Sequence, residues 1–143
     1  MDKLIGRHKE QSILKNCLES GRSEFVVIYG RRRIGKTFLV RRFFNDTYDF
    51  SFVGKHDMPR EQQLADFAKT LQRYSSSEFT PELKNWTQAF DGLAKLLEAK
   101  DTSRKKVIFF DEMPWMDTPK SDFVSSLENF WNGWAAMRDD IVF

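Results

Sequence analysis

One cysteine, Cys17, and two histidines, His8 and His56, are all that the 143 residues hold of those types. A lone cysteine excludes an intrachain disulfide and fits a reducing compartment; on a helix face with no base beside it, Cys17 reads as core filler rather than a nucleophile. The histidines stand far apart with no ligand cluster around them, which argues against a metal site and for ordinary surface or supporting roles. No apolar run approaches the roughly 18 residues a membrane span needs, and the chain is polar from Asp2 onward, so neither a secretory signal nor a span is expected and a cytoplasmic protein is. A formal charge of +2 is too small to imply nucleic acid by itself. Internal repeats, low-complexity tracts and linkers are also missing, which leaves one aromatic-rich globular unit over residues 1–143, long enough to bury a sizeable core.

What is present centres on Gly30-Arg31-Arg32-Arg33-Ile34-Gly35-Lys36-Thr37, which fits the phosphate-loop pattern G-x-x-x-x-G-K-[ST] without a mismatch. The pattern needs a buried strand before it and a helix after it. Phe25 to Tyr29 is an apolar run with β-branched residues at its centre, and Phe38, Leu39, Phe43 and Phe44 can share a helical face. Gly30 and Gly35 permit backbone angles closed to other residues and let main-chain N–H groups approach phosphate oxygens. The positive end of the following helix points at the same anion. Lys36 would reach the β- and γ-phosphates, and the Thr37 hydroxyl would fill one position in the shell of Mg2+. The nucleotide-binding set is Gly30, Arg31, Arg32, Arg33, Ile34, Gly35, Lys36, Thr37 and the adjoining Phe38. Arg31 to Arg33, with Arg41 and Arg42, read as a basic rim for a polyanionic nucleotide or a solvated face ahead of a nucleic-acid surface.

The remaining pattern alternates helices with strands. Ile13, Leu14, Cys17 and Leu18 predict a short amphipathic helix capped near Gly21. Tyr48 to Val53 alternates as a strand does and Gly54 ends it. Pro59 opens a helix with Leu64, Phe67, Ala68, Leu71 and Tyr74 on its apolar stripe, and Ser75 to Ser77 breaks it. Thr80-Pro81 reads as a second helix start, leading to Trp86, Phe90, Leu93, Ala94 and Leu97. After a turn at 101–104, Val107 to Phe110 is apolar at every position, as a strand buried on both faces would be. A last helix is expected from about Asp122 to Met137, with Phe123, Leu127, Phe130, Trp131 and Trp134 on one side. Ile141 to Phe143 begins another strand. The order predicts an α/β fold, a parallel sheet covered on both faces, with its ligand at the strands' carboxyl ends.

Asp111 and Glu112 fall at such an end, about seventy residues past the phosphate loop. Asp111 is placed to hold Mg2+, through water because that ion sheds its hydration reluctantly, and Glu112 to orient and polarise a water in line with the γ-phosphate. Trp131 and Trp134, at helical spacing, read as core, whereas Trp115 follows the acidic pair and can shape the site.

Leu-Ile-Gly-Arg near the start, Gly-Arg-Arg-Arg-Ile-Gly-Lys-Thr, Phe-Asp-Glu-Met-Pro-Trp-Met-Asp, and the Leu-Glu-Asn-Phe-Trp-Asn run within Phe123 to Trp134 together resemble the prokaryotic family of archaeal-type ATPases, a branch of AAA-like P-loop proteins. The resemblance covers nearly the whole chain. It implies a three-layer sandwich on a parallel sheet, with Lys36 as phosphate binder, Thr37 and Asp111 as Mg2+ ligands, Glu112 as catalytic base, and Leu4 to Arg7 near adenine. Such ATPases add a polar sensor beyond the fourth strand, an arginine finger, a lid and a C-terminal domain. The sequence stops inside that strand, so it resembles the N-terminal portion of an ATPase domain with an incomplete sheet, whose uncovered edge makes self-association an expectation.

The leading expectation is Mg2+-dependent binding and hydrolysis of ATP. Beside it stand a nucleotide-controlled switch or scaffold with negligible turnover, and a nucleic-acid-binding module using the arginine cluster, whose affinity would fall steeply with salt. A GTPase lacks support because there is no Asn-Lys-x-Asp segment, and a small-molecule kinase would have no need of Glu112 as a water-activating base.

Overall fold

The computed structural model describes residues 8–26, 36–76, 79–100, 104–118 and 121–143, with the backbone alone at His8, Lys36, Thr37 and Phe38. Along the chain these form α1 (His8–Glu19), α2 (Lys36–Phe43), β1 (Phe50–Val53), α3 (Arg60–Ser75), α4 (Trp86–Glu98), β2 (Lys106–Asp111), α5 (Phe123–Gly133) and β3 (Ile141–Val142). Short 3-10 turns occupy Met113–Met116 and Ala135–Met137.

The three strands make a parallel sheet in the order β1-β2-β3, with Phe50 opposite Ile108 and Lys106 opposite Ile141. Beyond β3 the chain at Glu24 bridges Val142 in the same direction. Glu24 N donates to Ile141 O at 2.8 Å, and Val26 N to Phe143 O at 2.9 Å. A parallel sheet needs cover on its faces, and the pleat divides the aromatic residues to provide it. Phe50, Phe52, Ile108 and Phe110 face α3, α4 and α5 in one continuous core with Phe67, Trp86, Phe90, Phe123 and Phe130. The Phe50 and Phe67 rings lie 5.0 Å apart, and Phe90 stacks on Phe110 at 6.1 Å. Each such ring taken from water stabilises the fold by roughly 2 kcal/mol, enough for this face to dominate the fold's stability. On the other face Phe109 meets Tyr48 at 5.3 Å and Tyr48 meets Phe44, just past α2.

Ion pairs fasten the amino ends of the strands. Asp49, almost wholly buried, accepts from both terminal nitrogens of Arg104 and from Val107 N. Lys106 is fully buried and donates to Asp140 Oδ2 at 2.7 Å, while Arg138 grips both oxygens of the same carboxylate. Burying the ammonium is tolerable only because that partner is fixed beside it. Lys105 donates to the main-chain oxygens of Cys17 and Arg22 and to Ser20 Oγ, fastening the end of α1.

The structure revises several helix boundaries. Thr80-Pro81 does not start α4: Thr80 Oγ1 bonds the Gln72 side chain, and the cap is Asn85, whose side-chain Oδ1 accepts from Gln88 N at 2.8 Å. Pro59 caps α3 from just outside instead of occupying its first turn. The helix expected to reach Met137 ends at Gly133, because Trp134 adopts φ −135° and ψ −62° and a 3-10 turn follows. In α1 the apolar stripe is only partly used: Leu14 and Cys17 are buried, Ile13 is exposed. The remainder of the expected first strand beyond Val26, Ser77 and residues 101–103 lie outside the described residues. No helix among the described residues is long and apolar enough to cross a membrane.

Candidate functional site

The strands among the described residues run the same way, so their carboxyl ends share one edge, and there β1 gives way to Gly54 while β2 ends at Asp111 and is followed by Glu112. Glu24 and Val107 both pair with Val142, so the chain at Glu24 to Val26 runs toward that edge, and α2 begins at Lys36, ten residues later in sequence. Gly30, Arg31, Arg32, Arg33, Ile34 and Gly35 lie outside the described residues, as do Leu4 to Arg7 and the side chains of Lys36, Thr37 and Phe38. Of the basic rim, Arg41 and Arg42 are exposed, and Arg41 pairs with Asp46 at 3.2 Å.

Asp111 is the last residue of β2 and stands opposite Val53. Its main-chain oxygen accepts from Gly54 N, and its carboxylate accepts from Glu112 N, both at 2.9 Å. Glu112 then turns sharply, with φ 56° and ψ 39°. That left-handed pose costs a residue other than glycine about 1 kcal/mol, and such strain is kept where a site fixes it. The Met113–Met116 turn follows with Pro114 near its start.

Trp115 closes this turn twice: its main-chain N–H donates to Glu112 O at 3.1 Å and its indole Nε1–H to Glu112 Oε2 at 3.0 Å. Its carbonyl in turn accepts from Gln63 Nε2 at 2.8 Å. Gln63, nearly solvent-free on α3, also donates to Met58 O, and its Oε1 has no partner among the described residues. The His56 ring abuts Trp115 edge-on at 4.2 Å and lies 3.3 Å from Asp57, so this histidine supports the turn from the loop after β1. Among the described residues no cluster of three or more His, Cys, Asp or Glu could hold a metal.

Asp122 draws the beginnings of three helices together near the same edge. Arg60, first in α3, donates to its Oδ1 through Nε at 3.2 Å and Nη2 at 2.8 Å; Trp86 N, first in α4, donates to its Oδ2 at 3.1 Å; and α5 follows it directly. Burial pushes the Asp122 carboxyl up, but the Arg60 hydrogen bonds and the main-chain donors outweigh it and hold the group below its usual range.

The side chains expected in the core are there: Phe123 and Phe130 are buried, Trp131 and Trp134 pack half-buried against it, and Cys17 is buried with its thiol pushed up chiefly by burial. Sequence reasoning missed Gly54 and Gln63 as parts of the site. A glycine after a strand reads as its end, and nothing marks a glutamine within a polar helix face as the one that turns inward.

A sequence model of the ATPase domain found predominantly in Archaea matches residues 4–142. An uncharacterized protein of Methanocaldococcus jannaschii is 30% identical over 115 residues, 77% of this chain, and the chain spans 22% of that relative's length. An uncharacterized ATP-binding protein of the same organism is 31% identical over 42 residues, 29% of this chain and 71% of its own. No solved structure matches. With the family model extending over both the Gly30 to Thr37 segment and the acidic pair at the end of β2, the chain belongs to the ATPase-domain family found predominantly in Archaea.

Proposed function

We propose that the chain binds ATP with Mg2+ and hydrolyses it at the carboxyl edge of an AAA-like P-loop sheet. The single observation that supports this best is the placement of Asp111 and Glu112 at the end of β2, on the edge toward which the chain runs at Glu24 to Val26, a few residues before the Gly30 to Thr37 motif in sequence. In this reading the main-chain N–H groups of Gly30 to Gly35 cradle the phosphates, Lys36 holds the β- and γ-phosphate oxygens, and Arg31 to Arg33 attract the polyanion. Thr37 and Asp111 offer hard oxygen donors. A hydroxyl and a carboxylate suit Mg2+, which these two residues would hold without a protein cluster of three acids. Bound there, Mg2+ would supply positive charge against the negative charge that develops on the phosphate oxygens. Glu112 takes a proton from the water that attacks the γ-phosphorus, while the bond to the ADP oxygen breaks.

Two variants test the reading. Lys36→Ala should abolish binding of a non-hydrolysable ATP analogue, and undiminished affinity would refute it. Glu112→Gln should bind ATP normally and release no phosphate, because an amide matches the carboxylate in shape but cannot accept the proton.

A further inference from the structure

We propose that Trp115 is a positioning residue for Glu112: its indole N–H fixes the carboxylate that activates water, an inference that rests on the reading of Glu112 just given. Three polar groups of residue 112 are held. Its N–H is taken by Asp111 Oδ1 at 2.9 Å, its C=O by Trp115 N–H at 3.1 Å, and its Oε2 by Trp115 Nε1–H at 3.0 Å. Its backbone is in the left-handed region, and the Gly54 main chain packs so closely against it that a β-carbon there would stand 2.4 Å from Glu112 O.

Trp115 is itself restrained. Gln63 Nε2 holds its carbonyl at 2.8 Å, and the edge of His56 packs on the indole at 4.2 Å. This arrangement has a cost, because the Gln63 Oε1 is buried without a partner among the described residues. Nor does burial compel the indole to choose Glu112. Trp115 is half-buried, where water can satisfy its N–H, and the fold leaves the wholly buried Trp86 Nε1 unpartnered among the described residues. A carboxylate held by a donor at a fixed angle loses little orientational freedom on reaching the transition state, which acts on the chemical step and not on nucleotide affinity.

Trp115→Phe keeps a ring against His56 and removes the donor. Steady-state phosphate release with Mg2+ and ATP should show kcat lowered about tenfold, with KM and analogue affinity changed by less than about twofold. A purely structural role would lower the fraction of binding-competent protein instead, so binding stoichiometry is read alongside. Should Trp115→Phe fail to fold, β-(3-benzothienyl)alanine at position 115 preserves the shape of the indole and replaces its N–H with sulfur. An unchanged or raised kcat overturns the proposal. Phosphate release that Glu112→Gln abolishes but Trp115→Phe leaves intact refutes Trp115 alone. Release that is absent from the unsubstituted protein, or that survives Glu112→Gln, refutes the role of Glu112 and this inference with it.

Discussion

Gly54 and Glu112 meet at the carboxyl edge of the sheet, where a side chain on the first would collide with the main-chain oxygen of the second. Backbone on both sides of the contact leaves nothing flexible to yield. Gly54→Ala is therefore expected to lower stability by about 2 kcal/mol, the range for forcing an atom into a filled site. Urea unfolding checks this, and a midpoint equal to that of the unsubstituted protein would show that the Glu112 turn can move aside.

That contact also marks the limit of what sequence shows. Phe50, Phe52 and Phe110 announce their strands because strand residues alternate or run apolar where a sheet is buried, and the acidic pair after Phe110 lies where parallel sheets present their ligand edge. The left-handed turn at Glu112 is not visible in that way. It arises because Asp111 accepts from the Glu112 N–H and Trp115 closes a 3-10 turn while Gly54 arrives from the end of β1, so that local hydrogen bonds combine with one contact distant in sequence. Thr80 misleads for a related reason: its hydroxyl bonds to α3, and the packing of Trp86 at zero exposure sets where α4 begins.

The helix start so displaced makes a paired comparison. Asn85→Ala removes the oxygen that accepts from Gln88 N and is expected to cost about 1 kcal/mol. Thr80→Ala, at an exposed side chain, is expected to change stability by less than about 0.5 kcal/mol. Thermal unfolding of the two variants checks the ranking, and equal losses would restore Thr80 as the cap.

Asp140 sets the behaviour in acid. Its carboxyl is lowered from 3.8 to about 2, first by the Arg138 hydrogen bond, against burial, and then by Lys106. A carboxyl whose folded value lies below its unfolded one binds more protons unfolded, so it contributes stability above the unfolded value and loses it as pH falls through the folded one. The contribution of about 2 kcal/mol should be complete above pH 3.8 and disappear through about 2, with Asp122 acting in the same direction. Asp140→Asn should flatten that part of the stability curve. At neutral pH it should also destabilise the protein by about 3 kcal/mol, because Lys106 would keep its buried charge opposite a neutral amide. Urea unfolding at a series of pH values reads both effects, and an unaltered acid slope in the variant would assign the dependence to other groups.

Asp122 tests whether the helical layer is fastened as one piece. The carboxylate receives Arg60 from α3 and Trp86 N from α4, and precedes α5, while Thr87 Oγ1 and Ser126 Oγ join α4 to α5 one turn further at 3.0 Å. Replacing it with Ala would strand a half-buried guanidinium and the first N–H of α4, with an expected cost of about 2–3 kcal/mol. Asp122→Asn keeps an acceptor for Trp86 N but loses the charge opposite Arg60, and should cost less. Amide exchange separates this from a uniform loss of stability: the first turns of α3 and α4 should lose protection together in Asp122→Ala, ahead of β2. Loss confined to α3 would mean that Arg60 alone depends on the carboxylate, and that the helices reach the sheet edge independently.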